Sequence, residues 1–124
     1  YLAPIQIVQS LLGNLKRGKA HIVNIGSMGG FSGSSKFPGL SIYSSTKAAL
    51  ANLSECWAEE LKEFGVTSNC LALGAVNTEM LKNAFPGYEA PVNSRLMGEK
   101  IVDFSINFNG VINGKIIPFS VSTP

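Results

Sequence analysis

The sequence predicts an α/β fold with a parallel sheet, and three observations support this prediction. Apolar stripes at helical spacing alternate with short, continuous apolar runs, in the order helix, strand, helix, strand, helix, strand. Strands that alternate with helices in this way are joined by right-handed crossovers and lie parallel. A content of 45% hydrophobic and 15% charged residues describes a globular chain of 124 residues rather than a disordered one.

Three stretches have the periodicity of helices. The first is expected over residues 4–16, because Pro4 is tolerated only in the first turn of a helix. The second is the longest, over residues 42–64, and Gly65 is expected to end it. A third helix is expected from about residue 94 to residue 108.

The strands are expected at residues 21–26, 66–73 and 115–121. A run as continuously apolar as residues 21–26 suits a parallel strand that is buried on both faces. Pro118 cannot donate a hydrogen bond to a neighbouring strand, so the last strand is expected at an edge of the sheet or to end there.

The chemistry of the chain is predicted to centre on Tyr43 and Lys47. The two residues are four positions apart at the start of a predicted helix, so they share one face about one turn apart. A phenol is a poor proton shuttle at neutral pH, but a nearby cation and the positive end of a helix favour its ionised form. Tyr43 is therefore a candidate general acid and base, with Lys47 as its partner.

Two further motifs flank this pair at the ends of predicted strands. Ser27 follows the first strand, and Gly-Ala-Val-Asn-Thr follows the second strand at residues 74–78. Together the motifs resemble the short-chain dehydrogenase/reductase family in its classical form. That family has a catalytic Ser after a strand, Tyr-x-x-x-Lys at the start of a helix, and Pro-Gly-x-x-x-Thr after the next strand. The resemblance runs over nearly the whole chain, although Leu73 stands where the family usually has Pro.

The loop between Ser27 and Tyr43 is longer than is common in the family, and it contains a competing serine, Ser32. We prefer Ser27 because it directly follows a strand, where open α/β sheets bind their ligands.

The resemblance implies a Rossmann-like, doubly wound parallel sheet, of which this chain holds the last three strands. The chain starts at Tyr1 and lacks the glycine-rich turn that holds the cofactor pyrophosphate in the family. Residues 1–124 are therefore expected to be the C-terminal part of a single NAD(P)-binding domain. Without the glycine-rich half, this piece alone is expected to be inactive and poorly stable.

The implied activity is hydride transfer between NAD or NADP and a carbonyl or alcohol substrate. Tyr43 would exchange a proton with the reacting oxygen, and Ser27 would donate a hydrogen bond to the same oxygen. Lys47 would stabilise the ionised form of Tyr43. These three residues form the expected catalytic group, and no metal is expected.

The resemblance also implies a set of cofactor contacts. Lys47 would bond the ribose hydroxyls next to the nicotinamide, with Tyr43 beside it. In the turn after the second strand, Gly74 would let the backbone approach the cofactor. Val76 would bond the carboxamide through its main chain, and Thr78 would offer its hydroxyl to the carboxamide or a phosphate.

Two alternative interpretations stay open at this point. An extended-type family member, such as a nucleotide-sugar epimerase or dehydratase, shares Tyr-x-x-x-Lys, but the short C-terminal part and the Gly-x-x-x-Thr turn argue against it. A non-catalytic fragment or interaction module of the same fold would not need cofactor. The presence of Ser27, Tyr43 and Lys47 together argues against that interpretation.

Composition gives no support to nucleic acid or a membrane as a partner. A formal charge of +2 without a basic run favours neither nucleic acid nor a membrane surface, and no apolar run has the length of a membrane span. Cys56 and Cys70 lack the spacing of metal ligands and are expected to be buried free thiols, which indicates a reducing compartment such as the cytoplasm. His21, the single histidine, is expected at the surface or as a cap.

The first two helices are apolar over more than one narrow face. A sheet needs only one stripe from each covering helix, so the surplus should be buried elsewhere. Family members pack these two helices against their copies, and the expectation is a homodimer or homotetramer. Trp57 is expected close to or within that contact, and the alternative is that its ring packs on the sheet.

Overall fold

A three-stranded sheet is the centre of the protein. The computed structural model describes residues 1–122. Its strands are β1 (His21–Ile25), β2 (Thr67–Leu73) and β3 (Ile116–Phe119), in the spatial order β1-β2-β3. Both pairs of neighbouring strands run parallel. The predicted α/β architecture with parallel strands is confirmed.

Strand β2 is the middle strand and is buried along almost its whole length. Val23 pairs with Asn69 on one side of it, and Ile117 pairs with Leu71 on the other. Strand β3 has β2 as its neighbour in the described sheet and contains Pro118. The predicted edge position of Pro118 is therefore confirmed.

Four α-helices accompany the sheet: α1 (Leu2–Gly18), α2 (Ser41–Glu60), α3 (Glu79–Ala84) and α4 (Ser94–Asn107). Pro4 lies in the first turn of α1, where backbone N–H groups have no partner within the helix. The predicted helices are all present, with ends that differ by a few residues.

Helix α2 ends earlier than the sequence predicts. After Glu60 the backbone tightens into a 3₁₀ turn over Lys62–Phe64, and Gly65 then takes a left-handed conformation with φ of 72°. Gly65 does end the helical segment, but its last turn is not α-helical. Such tightening lets the last carbonyl groups of a helix find partners.

One apolar core joins α1, α2 and the sheet. Val8 from α1, Trp57 from α2, Leu61 at the C-cap of α2, Ile22 from β1 and Val66 before β2 are all buried in one cluster. The exposed fraction of Trp57 is 8%, so its ring is buried within the single chain. This burial contradicts the expectation that the Trp57 ring lies within a contact between subunits and fits the alternative of packing inside the chain, whereas a position of Trp57 close to such a contact stays a prediction.

The outer edge of β1 has no strand beside it in the described part of the chain. A groove of about 490 Å³ follows this edge, between α1 and the first half of α2. Its lining includes Tyr1, Pro4, Ile7, Ile25 and Lys47. Part of the surplus apolar surface of α1 therefore faces this open edge.

Two smaller expectations are settled by burial. Cys70 is buried as expected, but Cys56 lies on the exposed side of α2. His21 is not a surface residue, since its ring is held between β2 and α4. Within residues 1–122, every helix is too short or too polar to cross a membrane.

Candidate active site

Ser27 lies where the chain leaves β1. It has an extended backbone and precedes a 3₁₀ turn over Met28–Gly30. Its Oγ accepts a hydrogen bond of 3.1 Å from the Gly29 N–H, which holds the hydroxyl oxygen in place. In the described residues the Ser27 hydroxyl proton has no acceptor, so it can be donated to a ligand.

Tyr43 and Lys47 lie in the first two turns of α2, on the side that faces the end of β1. The Lys47 Nζ donates a hydrogen bond of 2.9 Å to the Ile25 carbonyl oxygen, the last of β1. The same Nζ lies 5.9 Å from the centre of the Tyr43 ring. Because an ammonium group has three protons, Lys47 retains donors beyond the one that binds the strand.

Two glycines bring the serine turn against the helix. A Cβ atom on Gly29 would lie 3.4 Å from the Ser27 Oγ and 3.7 Å from Cε1 of Tyr43, so the hydroxyl and the phenol ring border the same small space. A Cβ atom on Gly30 would lie 2.6 Å from the Ala48 backbone nitrogen. Gly30 therefore allows a contact between backbones that any side chain would prevent.

The importance of Gly29 and Gly30 for the site is not predicted from the sequence. The signal was the Gly-Gly pair two residues after Ser27, which the sequence analysis treated as part of a loop. A glycine is required at such a position only when another backbone comes close, and sequence alone does not reveal which backbone that is.

The competing serine, Ser32, is exposed in the loop that follows this turn. Hydrogen bonds within the loop stabilise it, because the Lys36 ammonium donates hydrogen bonds of 3.0 Å to the carbonyl oxygens of Phe31 and Ser34. The Ser27 hydroxyl is the one shown to border the same space as the Tyr43 ring, and its preference over Ser32 as the catalytic serine stays a prediction.

The same loop contacts the segment that follows β2. The Phe37 and Phe85 rings meet edge to face, with centres 5.0 Å apart. This contact joins the loops that follow β1 and β2 at the carboxyl end of the sheet, the end at which Ser27 also lies.

The turn after β2, residues 74–78, is anchored at both of its ends. The Gly74 N–H donates to the Phe119 carbonyl at 3.1 Å, and the Asn77 N–H donates to the Val92 carbonyl at 2.8 Å. Thr78 caps α3, because its Oγ1 accepts a hydrogen bond from the Leu81 N–H. The Thr78 hydroxyl proton is not used in that bond.

The structure explains why position 74 holds a glycine, and this explanation is not evident from the sequence. A Cβ atom at this position would lie 1.9 Å from the Ser120 Oγ. The space that a glycine leaves is thus filled by the chain itself. Contact of Gly74 with a cofactor stays a prediction.

The Lys47 ammonium contributes a positive charge to the site. Lys47 lies beside Tyr43 and the end of β1, and its charge also acts on the buried Cys70 thiol. Burial raises the pKa of this thiol, although the Ser54 hydroxyl and the Lys47 charge partly oppose the effect. Within residues 1–122, no group of three or more His, Cys, Asp and Glu side chains is placed to hold a metal ion.

Comparison with known proteins identifies the family. Residues 1–89 match the family model described as short chain dehydrogenase. This chain belongs to the short-chain dehydrogenase/reductase family. The match includes the serine turn, both residues of Tyr-x-x-x-Lys and the whole turn after β2.

Individual relatives agree with this assignment. Protein FixR of Bradyrhizobium diazoefficiens is 37% identical over 91 residues, which cover 73% of this chain and 31% of that protein. A diacetyl reductase, (S)-acetoin forming, of Staphylococcus aureus is 40% identical over 62 residues, which cover 50% of this chain and 23% of that enzyme. This chain therefore aligns with less than a third of the length of either relative.

A solved structure extends the likeness to the fold. The structure of ElxO with NADP bound superimposes with a TM-score of 0.78 at 24% identity, over 97% of this chain and 53% of that one. The chain has the Rossmann-like fold of short-chain dehydrogenases and spans about half of that structure.

Proposed function

We propose that the protein containing this chain is an NAD(P)-dependent oxidoreductase that interconverts a carbonyl compound and an alcohol. The observation that carries the proposal is the convergence of Ser27, Tyr43 and Lys47 at the carboxyl end of β1. A hydroxyl donor, a phenol and a cation in one place are what proton transfer to a carbonyl oxygen requires.

Each residue has a role that its contacts support. The Ser27 hydroxyl, held through its oxygen by Gly29, donates its proton to the substrate oxygen and keeps that oxygen beside the Tyr43 phenol. Tyr43 gives a proton to this oxygen during reduction and takes one during oxidation. Lys47 is fixed by the Ile25 carbonyl and stabilises the phenolate that reduction leaves behind.

The nicotinamide cofactor supplies or accepts the hydride, and the protein positions and protonates the substrate. Three groups fit such a cofactor. Lys47 has free donors for ribose hydroxyls, and the Thr78 hydroxyl has a free proton. Within residues 1–122, Val76 makes no main-chain hydrogen bond, although its neighbour Ala75 does. The NADP bound by the similar ElxO structure supports NADP or NAD as the cofactor.

The catalytic unit is proposed to include a glycine-rich half in addition to residues 1–124. The open edge of β1 supports this, because an unpaired strand with an apolar groove beside it can accept another parallel strand. The alignment over about half of the ElxO chain also supports it. The 124 residues alone are then expected to be inactive.

The proposed substrate, compartment and assembly are those that suit the same function. The substrate is a small carbonyl or alcohol, with neither nucleic acid nor a membrane as a partner. The protein is proposed to work in the cytoplasm as a homodimer or homotetramer. Two cysteines without a disulfide in the described residues suit that compartment.

The decisive test is Tyr43→Phe in the intact protein. The substitution removes only the hydroxyl, so turnover should be lost while the dissociation constant of NADH or NADPH changes little. Turnover is followed by the absorbance of the reduced cofactor, and cofactor binding by its fluorescence. Carbonyl reduction at more than a few per cent of the wild-type rate would refute the role of Tyr43.

The two serines provide a matched pair of variants. Ser27→Ala should cost about 2–4 kcal/mol of transition-state stabilisation, the usual effect of losing one positioned donor to a developing oxyanion. Ser32→Ala should have kcat/KM close to that of the wild type, because Ser32 is exposed in the loop. The opposite result would show that the longer loop provides the catalytic serine.

A further inference from the structure

We infer that residues 120–122, which follow β3 and are called the hook here, are the element that positions the turn of residues 74–78 for the cofactor. The inference rests on the proposed function for its cofactor, but its evidence lies in contacts within the chain. Ser120 and Ser122 are positioning residues in this scheme, since they act through the turn.

The hook is bonded to the beginning of the turn by its backbone. The Ala75 N–H donates a hydrogen bond of 3.0 Å to the Ser122 carbonyl oxygen. One residue earlier, the Gly74 N–H donates to Phe119, the last residue of β3. The chain after β2 is therefore held to the chain after β3 beyond the point at which both strands end.

The side chain of Ser120 fills the place that Gly74 leaves empty. A Cβ atom on Gly74 would lie 2.5 Å from the Ser120 Cβ and 1.9 Å from its Oγ, distances that no real pair of atoms keeps. The Ser120 Oγ in turn donates a hydrogen bond of 3.1 Å to the Ser122 carbonyl. Gly74 is thus needed because the hook lies against it.

The hook also reaches the loop between α3 and α4. The hydroxyl groups of Tyr88 and Ser122 lie 2.9 Å apart and form a hydrogen bond. The far end of the turn is bonded to the same loop, because the Asn77 N–H donates to the Val92 carbonyl. Ser122 therefore joins the turn to the loop that follows it, and Val76 lies between the two anchors.

Two explanations of Gly74 now make opposite predictions. If the glycine lets the cofactor approach the backbone, a side chain at position 74 blocks the cofactor whatever stands at position 120. If the glycine makes room for the hook, removing the Ser120 side chain should restore the turn. Our inference is the second explanation.

The experiment compares Gly74→Ala, Ser120→Gly and the double variant in the intact protein, with Gly98→Ala as a control. A Cβ atom on Gly98 would meet open space, so that variant should bind cofactor and exchange its Ala75 amide like the wild type. The dissociation constants of NADH and NADPH are measured by cofactor fluorescence. Amide hydrogen exchange at Gly74 and Ala75 is measured in the absence of cofactor.

Gly74→Ala should weaken cofactor binding about tenfold or more, as expected when at least one positioned hydrogen bond is lost. It should also speed amide exchange at Ala75. The double variant should recover most of both properties. Recovery is expected to be incomplete, because the Ser122 carbonyl would still lie 2.8 Å from the new Cβ atom.

Each other outcome has its own meaning. Unchanged exchange at Ala75 in Gly74→Ala overturns the inference, because the hook would then not hold the turn. Recovery of exchange without recovery of cofactor binding also overturns it, because the cofactor itself would need the glycine. A wild-type protein that binds neither NADH nor NADPH refutes the proposed function, and the positioning role falls with it, whatever the exchange data show.

Discussion

At the scale of single residues, His21 shows how a half-buried network of hydrogen bonds selects one protonation state. The His21 Nδ1 lies 3.1 Å from the Ser105 carbonyl oxygen, and the Nε2 lies 2.9 Å from the Asn69 side-chain nitrogen. A carbonyl can only accept a hydrogen bond, and an amide nitrogen can only donate one. The ring must therefore be neutral, with its proton on Nδ1.

The amide of Asn69 cannot turn around to accept a proton from the ring. Its oxygen accepts the Lys115 N–H at 3.0 Å, and its nitrogen also donates to the Ile112 carbonyl at 2.8 Å. Rotation of the amide would lose both bonds. Protonation of His21 would thus place two N–H groups against each other, and burial lowers the pKa of His21 further, although its bond to Ser105 partly opposes this.

This network predicts a loss of stability on mild acidification. The folded-state pKa of His21 lies below its unfolded value of about 6.5, so the unfolded chain binds the proton more readily. The stabilisation is fully present above that value and is lost as the pH falls through the folded-state pKa. Urea unfolding of the intact protein between pH 7 and pH 5 measures the effect.

His21→Gln provides the comparison, because glutamine does not titrate. Its free energy of unfolding should change less with pH than that of the wild type over the same range. The charged side chains on the elements around His21 are all exposed and stay unchanged in the variant: Lys19, Arg95, Glu99, Lys100, Asp103 and Lys115. Parallel pH curves for the two proteins would contradict this account of the network.

At the scale of elements, the site depends on how the 3₁₀ turn after β1 packs on α2. Gly30 is the point of contact, and the two atoms that a Cβ atom there would meet first belong to the backbone of Ala48 and Lys47. A helix backbone cannot yield as the end of a flexible side chain can. The distance between Ser27 and Tyr43 is therefore set by a contact that involves neither residue.

Gly30→Ala should push this turn away from α2. The strain of such overpacking costs about 1–3 kcal/mol of stability, and turnover should fall because Ser27 moves away from Tyr43. Gly98→Ala in α4 is the matched control, and the gain in helix propensity should stabilise the protein by up to about 1 kcal/mol. Thermal unfolding and kcat are measured for both variants. Wild-type turnover in Gly30→Ala would show that the contact does not set the site.

At the scale of the whole molecule, the apolar surface of the first two helices has more than one destination. The Trp57 ring is buried in the core of the chain. Ile7 is 58% exposed and lines the groove beside the open edge of β1. The exposed positions that remain for a contact between subunits include Leu2 and Leu11 of α1 as well as Ala48 and Cys56 of α2.

These positions make assembly testable. The intact protein is expected to be a homodimer or homotetramer by light scattering. Cys56→Lys should give a smaller but folded species, because the new charge lies on the exposed face. Trp57→Lys should unfold the protein, because it removes a buried ring and buries a charge in its place. A wild-type monomer at all concentrations would refute the assembly.

The sequence by itself determined the fold class and the family, and it predicted the chemistry of the site, since each depends on local order along the chain. The alternation of apolar runs predicts parallel strands. Ser27, Tyr43 and Lys47 are recognisable from motifs, because Ser27 follows the end of a strand and the other two lie at the start of a helix. Pro118 at a sheet edge was predicted for the same reason, as a missing N–H is a property of one residue.

Only the tertiary structure decided which distant segments meet. His21 and Asn69, Gly30 and Ala48, and Gly74 and Ser120 are far apart in the chain, and nothing local marks them as partners. Trp57 shows the same limit of sequence-based prediction, since a tryptophan on an apolar helix suits a core and a subunit contact equally well. The physical reason is that packing depends on the shapes of two surfaces, whereas periodicity describes only one of them.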